Sequence, residues 1–264
     1  MKNLFNKTLE AVAIERLKTF EERAVNMHPD GYYLAYSGGK DSDVLLHITK
    51  KSGVKFKAVH NLTTCDPPEV VYHVRSHPEV EISTPKTTMW QLIRKKGMPP
   101  RRNARYCCQE LKERGGEGRI VLTGVRWGES VKRKNRRMFE ACYRSERKFY
   151  LHPIIDWFSA DVWCYIRNEG IKYCGLYDEG RKRVGCVLCP MARDVEQQIR
   201  RWPKIAAAWE RAIKATFVLD KLGSKGIATP EAYWQWWLDR DAKLSKGDEP
   251  CFMFDDDQPV FEVR

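Results

Sequence analysis

Two sets of residues have the types and spacing to do chemistry: Ser37-Gly38-Gly39-Lys40-Asp41-Ser42, and the cysteines Cys107-Cys108 with the later Cys186-Val187-Leu188-Cys189. The hexapeptide follows an apolar run, Tyr32-Tyr33-Leu34-Ala35-Tyr36, and precedes Val44, Leu45, Leu46 and Ile48. It therefore reads as the turn between a buried strand and a helix. At a helix start the first N–H groups lack partners within the helix and the dipole is positive. Two glycines let the main chain approach an oxygen-rich group, the serines offer hydroxyls, and Lys40 adds a cation. Phosphate suits that chemistry. A bare Gly-Gly pair would mean an ordinary capped turn, but the full hexapeptide between strand and helix is more specific. It is not a Walker A loop, since four residues between the glycines and a Gly-Lys-Ser/Thr ending are missing, and this disfavours γ-phosphate transfer.

A Cys-x-x-Cys pair can offer two thiolates to one metal centre, whereas an adjacent Cys-Cys pair needs unusual backbone geometry to do so. Four thiolates suit either tetrahedral zinc or a [4Fe–4S] cluster, and spacing alone does not choose. The chain has nine cysteines, which in a reducing compartment are seldom disulfides. Cys65, Cys142 and Cys164 read as small buried hydrophobes, and Cys174 as an extra or substitute ligand.

The elements that must position these groups alternate. After an amphipathic leading helix over residues 4–27 and the strand before the glycine turn, strands are expected at Phe56–His60, Val80–Ile82, Arg119–Gly124 and Phe149–Ile154. Helices are expected at Pro67–His77 and Thr87–Lys96 and from Ser159 onward. This rhythm predicts an α/β fold, a doubly wound, mainly parallel sheet. Beyond Pro190 the pattern changes to helical stretches rich in tryptophan (Trp202, Trp209, Trp234, Trp236, Trp237), read as core aromatics rather than a base-stacking platform. The expected organisation is an N-terminal helix (1–28), a nucleotide-binding domain with the cysteines (29–192) and a helical C-terminal region (193–264).

In an open α/β sheet, ligands sit beyond the C-terminal strand ends. Thr64 and Asp66 follow the second strand and are candidates to lie near the nucleotide, Asp66 alternatively being a helix cap ahead of Pro67. Gly124, Arg126 and Arg133 follow the Arg119–Gly124 strand, where guanidinium groups could grip phosphate or sulfate oxygens bidentately.

Lysine and arginine exceed aspartate and glutamate by 47 to 35, a formal charge of +12. That balance favours polyanionic partners. The basic clusters at residues 101–105, 132–137 and 181–183 could meet a nucleic acid backbone without reading sequence, or be solvated surface. No run of about eighteen apolar residues is present and the first residues lack a signal-peptide pattern, so a cytoplasmic protein without a membrane partner is expected.

The hexapeptide resembles the PP-loop of the ATP pyrophosphatase and phosphoadenosine phosphosulfate (PAPS) reductase superfamily, whose members hold the phosphates of an adenine nucleotide on this turn. The cysteine layout is similar to that of the sulfonucleotide reductases that carry a [4Fe–4S] cluster. Further blocks agree from about Tyr32 to Met191: Arg105-Tyr106-Cys107-Cys108 before Leu111-Lys112, Thr123-Gly124-Val125-Arg126 with Glu129, Ser130 and Arg133, Pro153-Ile154-Ile155-Asp156-Trp157, and Leu176-Tyr177-Asp178 leading to Gly185-Cys186. The resemblance implies a cluster on Cys107, Cys108, Cys186 and Cys189, and ATP, APS or PAPS as the nucleotide, with Mg²⁺ accompanying a triphosphate. It implies catalytic roles for Lys40, Asp41 and Arg126.

Three functions follow as expectations. The leading one is ATP-dependent sulfur activation or insertion, similar to DNA phosphorothioation and tRNA thiolation PP-loop proteins, with AMP and pyrophosphate as products and a sulfur donor as partner. It is favoured because the Glu-Cys-Gly-Leu/Ile-His motif that supplies the reductases' nucleophile is not found; Cys251 sits in Glu249-Pro250-Cys251-Phe252, near acidic residues that would raise its pKa. The second is an APS or PAPS reductase that releases sulfite and uses a thioredoxin-like reductant. The third is a nucleotide-sensing or nucleic-acid-binding module that turns nothing over.

Overall fold

Six strands, β1 (Tyr32–Ala35), β2 (Phe56–Asn61), β3 (Val80–Ser83), β4 (Ile120–Leu122), β5 (Phe139–Ala141) and β6 (Phe149–Leu151), form one sheet in the order β3-β2-β1-β4-β6-β5. The computed structural model that contains it describes residues 8–218, 222–223 and 226–239. The pairings β1–β2, β2–β3, β1–β4 and β4–β6 are parallel, and β5 alone runs antiparallel on the β6 edge. Parallel strands are covered on both faces and read as continuous apolar runs. Tyr32, Leu34, Ile120, Leu122 and Leu151 accordingly have no exposed surface. The mainly parallel α/β sheet is the fold class expected from the alternation of elements.

Two compact units divide the chain. The first holds the described residues through Leu62, Pro68–Thr84 and Arg114–Gly185, and thus the whole sheet. Around it are α1 (Leu9–Thr19), α2 (Glu21–Met27), α3 (Lys40–Ser52), α4 (Pro68–Arg75), the short α6 (Val131–Lys134) and α7 (Ser159–Glu169). The leading helix is interrupted at Phe20, which takes φ −104°, ψ 4° and stacks on Phe139 of β5 with ring centroids 4.4 Å apart. Helical periodicity runs through this break, so the interruption comes from tertiary contact. Arg16 of α1 grips Asp156 with two 2.8 Å bonds and donates a third to Pro153 O, which ties the helix to the segment after β6.

The second unit holds Thr63–Pro67, Pro85–Glu113 and the described residues from Cys186 onward. Its helices are α5 (Met89–Lys96), α8 (Val195–Arg201), α9 (Pro203–Lys214) and α10 (Pro230–Leu238). Thr88 and Gln91 form a capping box at the start of α5, and Gly97 closes it in the left-handed region at φ 68°, an inexpensive conformation only for glycine. The tryptophans pack as a chain: Trp90 edge-on to Trp209, Trp209 stacked on Trp237, and Trp237 on Trp234. Two of the indoles find acceptors, Trp209 on Val187 O at 3.0 Å and Trp237 on Pro100 O at 2.8 Å, whereas Trp236 Nε1 is buried without one. These aromatics are core, as read from the sequence. The C-terminal helices thus share a unit with residues 63–67 and 85–113, so the units cross the linear segments expected from the sequence.

No helix among the described residues is long and apolar enough to cross a membrane.

Candidate functional site

In the first unit the sheet order reverses beside β1: β2 and β3 continue on one side, β4 and β6 on the other. The glycine turn leaves the C-terminal end of β1 at this switch point, and Thr123-Gly124 leaves the end of neighbouring β4. Open parallel sheets place their ligands there.

The turn is built largely by its own atoms. Ser42 Oγ donates to Gly39 O at 2.7 Å, receives Gly39 N–H at 3.1 Å and receives Ser37 Oγ at 3.1 Å. Gly38 lies at φ 72°, and a Cβ there would sit 2.9 Å from Val70 Cγ1 and 3.0 Å from Val74 Cγ2 of α4. Gly39 caps α3, whose thirteen residues carry Asp41 and Asp43 in the first turn, acids that suit the positive helix end. Gly124 comes so close that its Cβ would stand 2.9 Å from Asp41 O. Only a residue without a side chain lets the β4 loop lie against the start of α3.

Charge is concentrated at this helix start. Lys40, only 4% exposed, places Nζ 3.0 Å from Asp41 Oδ2. Arg126, equally buried, places Nε 2.7 Å from Asp41 Oδ1 and donates Nη1 to Trp157 O at 3.2 Å. Its own N–H is held by Glu129 at 3.1 Å. Asp41 therefore lies between two cations delivered from different elements. Arg133 is paired with Glu129, which also binds Arg183 at 3.1 Å.

Tyr177 was legible only as part of a familiar text block, yet its hydroxyl accepts the Lys40 N–H at 3.1 Å and its ring faces Lys40 Nζ at 5.6 Å. Burial pushes that phenol's pKa well up, so it stays a neutral hydroxyl. The Pro153–Trp157 block also gains a function: Trp157 supports Arg126, and Ile155 O accepts Trp127 N–H at 2.8 Å.

The cysteine quartet lies in the second unit, together with Thr64 and Asp66. Cys107 is helical at φ −61°, ψ −34°, and Cys108 opens a single π-helical turn, Cys108–Lys112, closed by Glu113 N–H on Cys108 O at 2.9 Å. Such turns recur at functional positions. Leu188, between the other two, sits at φ 55°. Its N–H is held by Gln198 Oε1 at 2.6 Å, and Val187 N–H by Cys65 O at 2.8 Å. Cys186 Sγ lies 3.4 Å from Thr63 Oγ1 and 4.0 Å from Asp66 Oδ1. Asp66 accepts Thr63 N–H at 2.7 Å, and Thr64, at φ 67°, accepts Met89 N–H at 2.9 Å.

The thiols differ in acidity. A hydrogen bond from Cys65 brings Cys186 down to about 6 against the effect of burial, with the Lys112 cation helping. A bond with Cys107 likewise brings Cys108 to about 7. Their partners Cys65 and Cys107 move upward for the same reason, and burial raises Cys189. The donor chemistry fits a thiolate-bound metal centre, although the thiols are not drawn into a closed ligand set. Among the described residues, the three-donor set with ligand atoms within 4.8 Å of one another is Asp43, His73 and His77.

Cys65 and Cys142 are buried as expected, but Cys164 is exposed: α7 buries Val162, Tyr165 and Ile166 and turns this position outward. Cys174 is buried in the first unit. Cys251 and the acidic tail lie outside the described residues.

A parallel α/β sheet with a glycine loop of this text at its switch point defines a PP-loop fold. Residues 31–192 match the phosphoadenosine phosphosulfate reductase domain, and the chain belongs to that family. An uncharacterized protein of Methanocaldococcus jannaschii is 26% identical over 77% of this chain and 45% of its own length. Adenosine 5'-phosphosulfate reductase of Bacillus cereus is 25% identical over 64% of this chain and 77% of its own. A solved structure of phosphoadenylyl-sulfate (PAPS) reductase from Candida auris, a phosphate complex, has a TM-score of 0.50 and 23% identity, covering 66% of this chain and 87% of that one; the likeness is one of fold. The chain spans 45% and 57% of the length of two M. jannaschii relatives that it matches.

Proposed function

We propose that this chain is an enzyme that binds Mg-ATP on the Ser37–Ser42 loop and uses it to activate an acceptor for sulfur insertion. The observation that carries the reading is Asp41, a partly accessible carboxylate held between Lys40 and Arg126 at the start of α3. A triphosphate arrives with Mg²⁺, which is held by one or two carboxylates together with the phosphates. Asp41 supplies such a carboxylate, and its engagement by the ion would release Lys40 and Arg126 to the phosphate oxygens.

In that reading an acceptor oxygen attacks the α-phosphorus, the bond to the bridging oxygen breaks, and pyrophosphate leaves with the electron pair. Lys40 and Arg126 stabilise charge developing on the phosphates. A sulfur nucleophile then displaces AMP from the activated acceptor. Cys107, Cys108, Cys186 and Cys189 would hold a [4Fe–4S] cluster, which when bound supplies sulfur or electron transfer. The chain's charge of +12 favours a polyanionic acceptor, and nucleic acid is the class we propose.

Reduction of APS or PAPS is the second reading, supported by the similarity to the B. cereus enzyme. Incubating anaerobically purified full chain with Mg-ATP and oligonucleotide acceptors, or with APS or PAPS and thioredoxin, separates the two. Pyrophosphate and AMP released only with an acceptor support insertion. Sulfite from a sulfonucleotide, with no ATP turnover, overturns it in favour of reduction.

A further inference from the structure

Beneath the phosphate loop, Asp43, His73 and His77 each present a ligand atom within 4.8 Å of the others. Asp43 follows the loop on α3, His73 is on α4 and His77 lies just beyond its end. The carboxylate of Asp43 is fully buried. One of its oxygens, Oδ1, receives Tyr36 Oη and lies 3.0 Å from His73 Nε2, while the other, Oδ2, has no protein partner. His77 Nε2 is buried and also lacks a protein partner. The two imidazoles stand edge to face, 4.9 Å between centroids.

Two orphaned polar atoms in one buried cluster are costly when nothing satisfies them. A cation placed among the three donors satisfies both at once and neutralises a carboxylate that has no buried ammonium or guanidinium bonded to it.

We propose that Asp43, His73 and His77 form a binding site for a divalent transition-metal ion of the zinc class. Two borderline imidazole nitrogens with one hard carboxylate oxygen suit Zn²⁺ or Co²⁺ and not the all-oxygen shells of Mg²⁺ or Ca²⁺. The ion ties the first turn of α3 to α4, the helix whose Val70 and Val74 close on Gly38. It therefore braces the loop independently of which reaction the loop serves.

The test uses the full chain, stripped by a chelator and carrying Cys186→Ser and Cys189→Ser so that metal at the quartet is removed from consideration. After dialysis against zinc alone, one zinc per chain is expected, with X-ray absorption showing nitrogen and oxygen ligands at about 2.0–2.1 Å and no sulfur. Adding His77→Gln, or separately Asp43→Asn, should weaken zinc binding by about tenfold or more. No bound zinc, sulfur ligation, or equal affinity with and without His77→Gln overturns the site and leaves a buried water as the partner. Should the serine variants fail to fold by circular dichroism, the cysteine-intact chain decides. There His77→Gln must remove one zinc equivalent, and equal zinc contents overturn the proposal.

Discussion

Arg126 Nε lies 2.7 Å from Asp41 Oδ1, so a guanidinium carried on the loop after β4 is locked to the first turn of the helix that the phosphate loop begins. Both are further fixed: Arg126 by Trp157 O and Glu129, Asp41 by Lys40. Arg126→Ala should weaken Mg-ATP binding about 10- to 100-fold, equal to about 1.4–2.7 kcal/mol. Arg126→Lys should recover only part of this, because an ammonium cannot reproduce the fork. Equilibrium binding to both variants checks the claim, and unchanged affinity in Arg126→Ala would refute it.

Asp41→Asn tests the role given to the carboxylate. Removing one negative charge beside Lys40 and Arg126 should strengthen binding of metal-free ATP, while the gain in affinity on adding Mg²⁺ shrinks about tenfold or more. Titrations with and without Mg²⁺ read both effects. A magnesium dependence equal to that of wild type would show that the ion is held elsewhere.

Gly38→Ala should destabilise the fold by about 1–3 kcal/mol, because it combines a left-handed backbone with a Cβ pressed against Val70 and Val74. Thermal or denaturant unfolding measures this. A loss below about 0.5 kcal/mol would mean that the turn relaxes freely.

Much of this site was legible in the sequence because its signals are local. The full Ser37–Ser42 hexapeptide between an apolar strand and a helix points to an anion turn, where a bare Gly-Gly pair would mean only a capped turn. The family resemblance marks the blocks around Arg126 and Trp157, but only the fold shows that Trp157 O accepts from Arg126. Other features depend on partners distant in sequence. β5 is three residues, Phe139–Ala141, whose register is set by β6, and Phe20 ends α1 where it stacks on Phe139. Tyr177 reaches Lys40 across 137 positions. His73 and His77 carry no signal in the sequence reading, and only the fold brings Asp43 to them.

Glu140 on β5 gives a pH dependence. Burial works to raise its pKa, but the bond with His152 and the charge of Arg136 outweigh this and hold it below the ordinary carboxylate value. A depressed folded pKa means that the stabilisation is present above the unfolded glutamate pKa, about 4.3, and is lost as pH falls through the lower folded value. Wild type should therefore lose stability more steeply than Glu140→Gln below about pH 4.3. Denaturation midpoints measured across that range check the sign, and parallel curves would contradict it.

Arg16→Met keeps the aliphatic stem and removes the grip on Asp156 and Pro153. Because the bidentate pair is only partly buried, the expected cost is about 1–2 kcal/mol, read as a lowered urea midpoint with an unchanged slope.

The central claim is that the Ser37–Ser42 loop binds an adenine nucleotide, and calorimetric titration of Mg-ATP into the full chain and into Gly39→Val tests it most directly. A Cβ at Gly39 already approaches Val184 at 3.3 Å and Tyr177 Oη at 3.4 Å, so valine should crowd the loop. Saturable binding at one site per chain is predicted for wild type, weakened about 100-fold or more in Gly39→Val with its circular dichroism preserved. No saturable binding to wild type, or equal affinity in both proteins, would contradict the account.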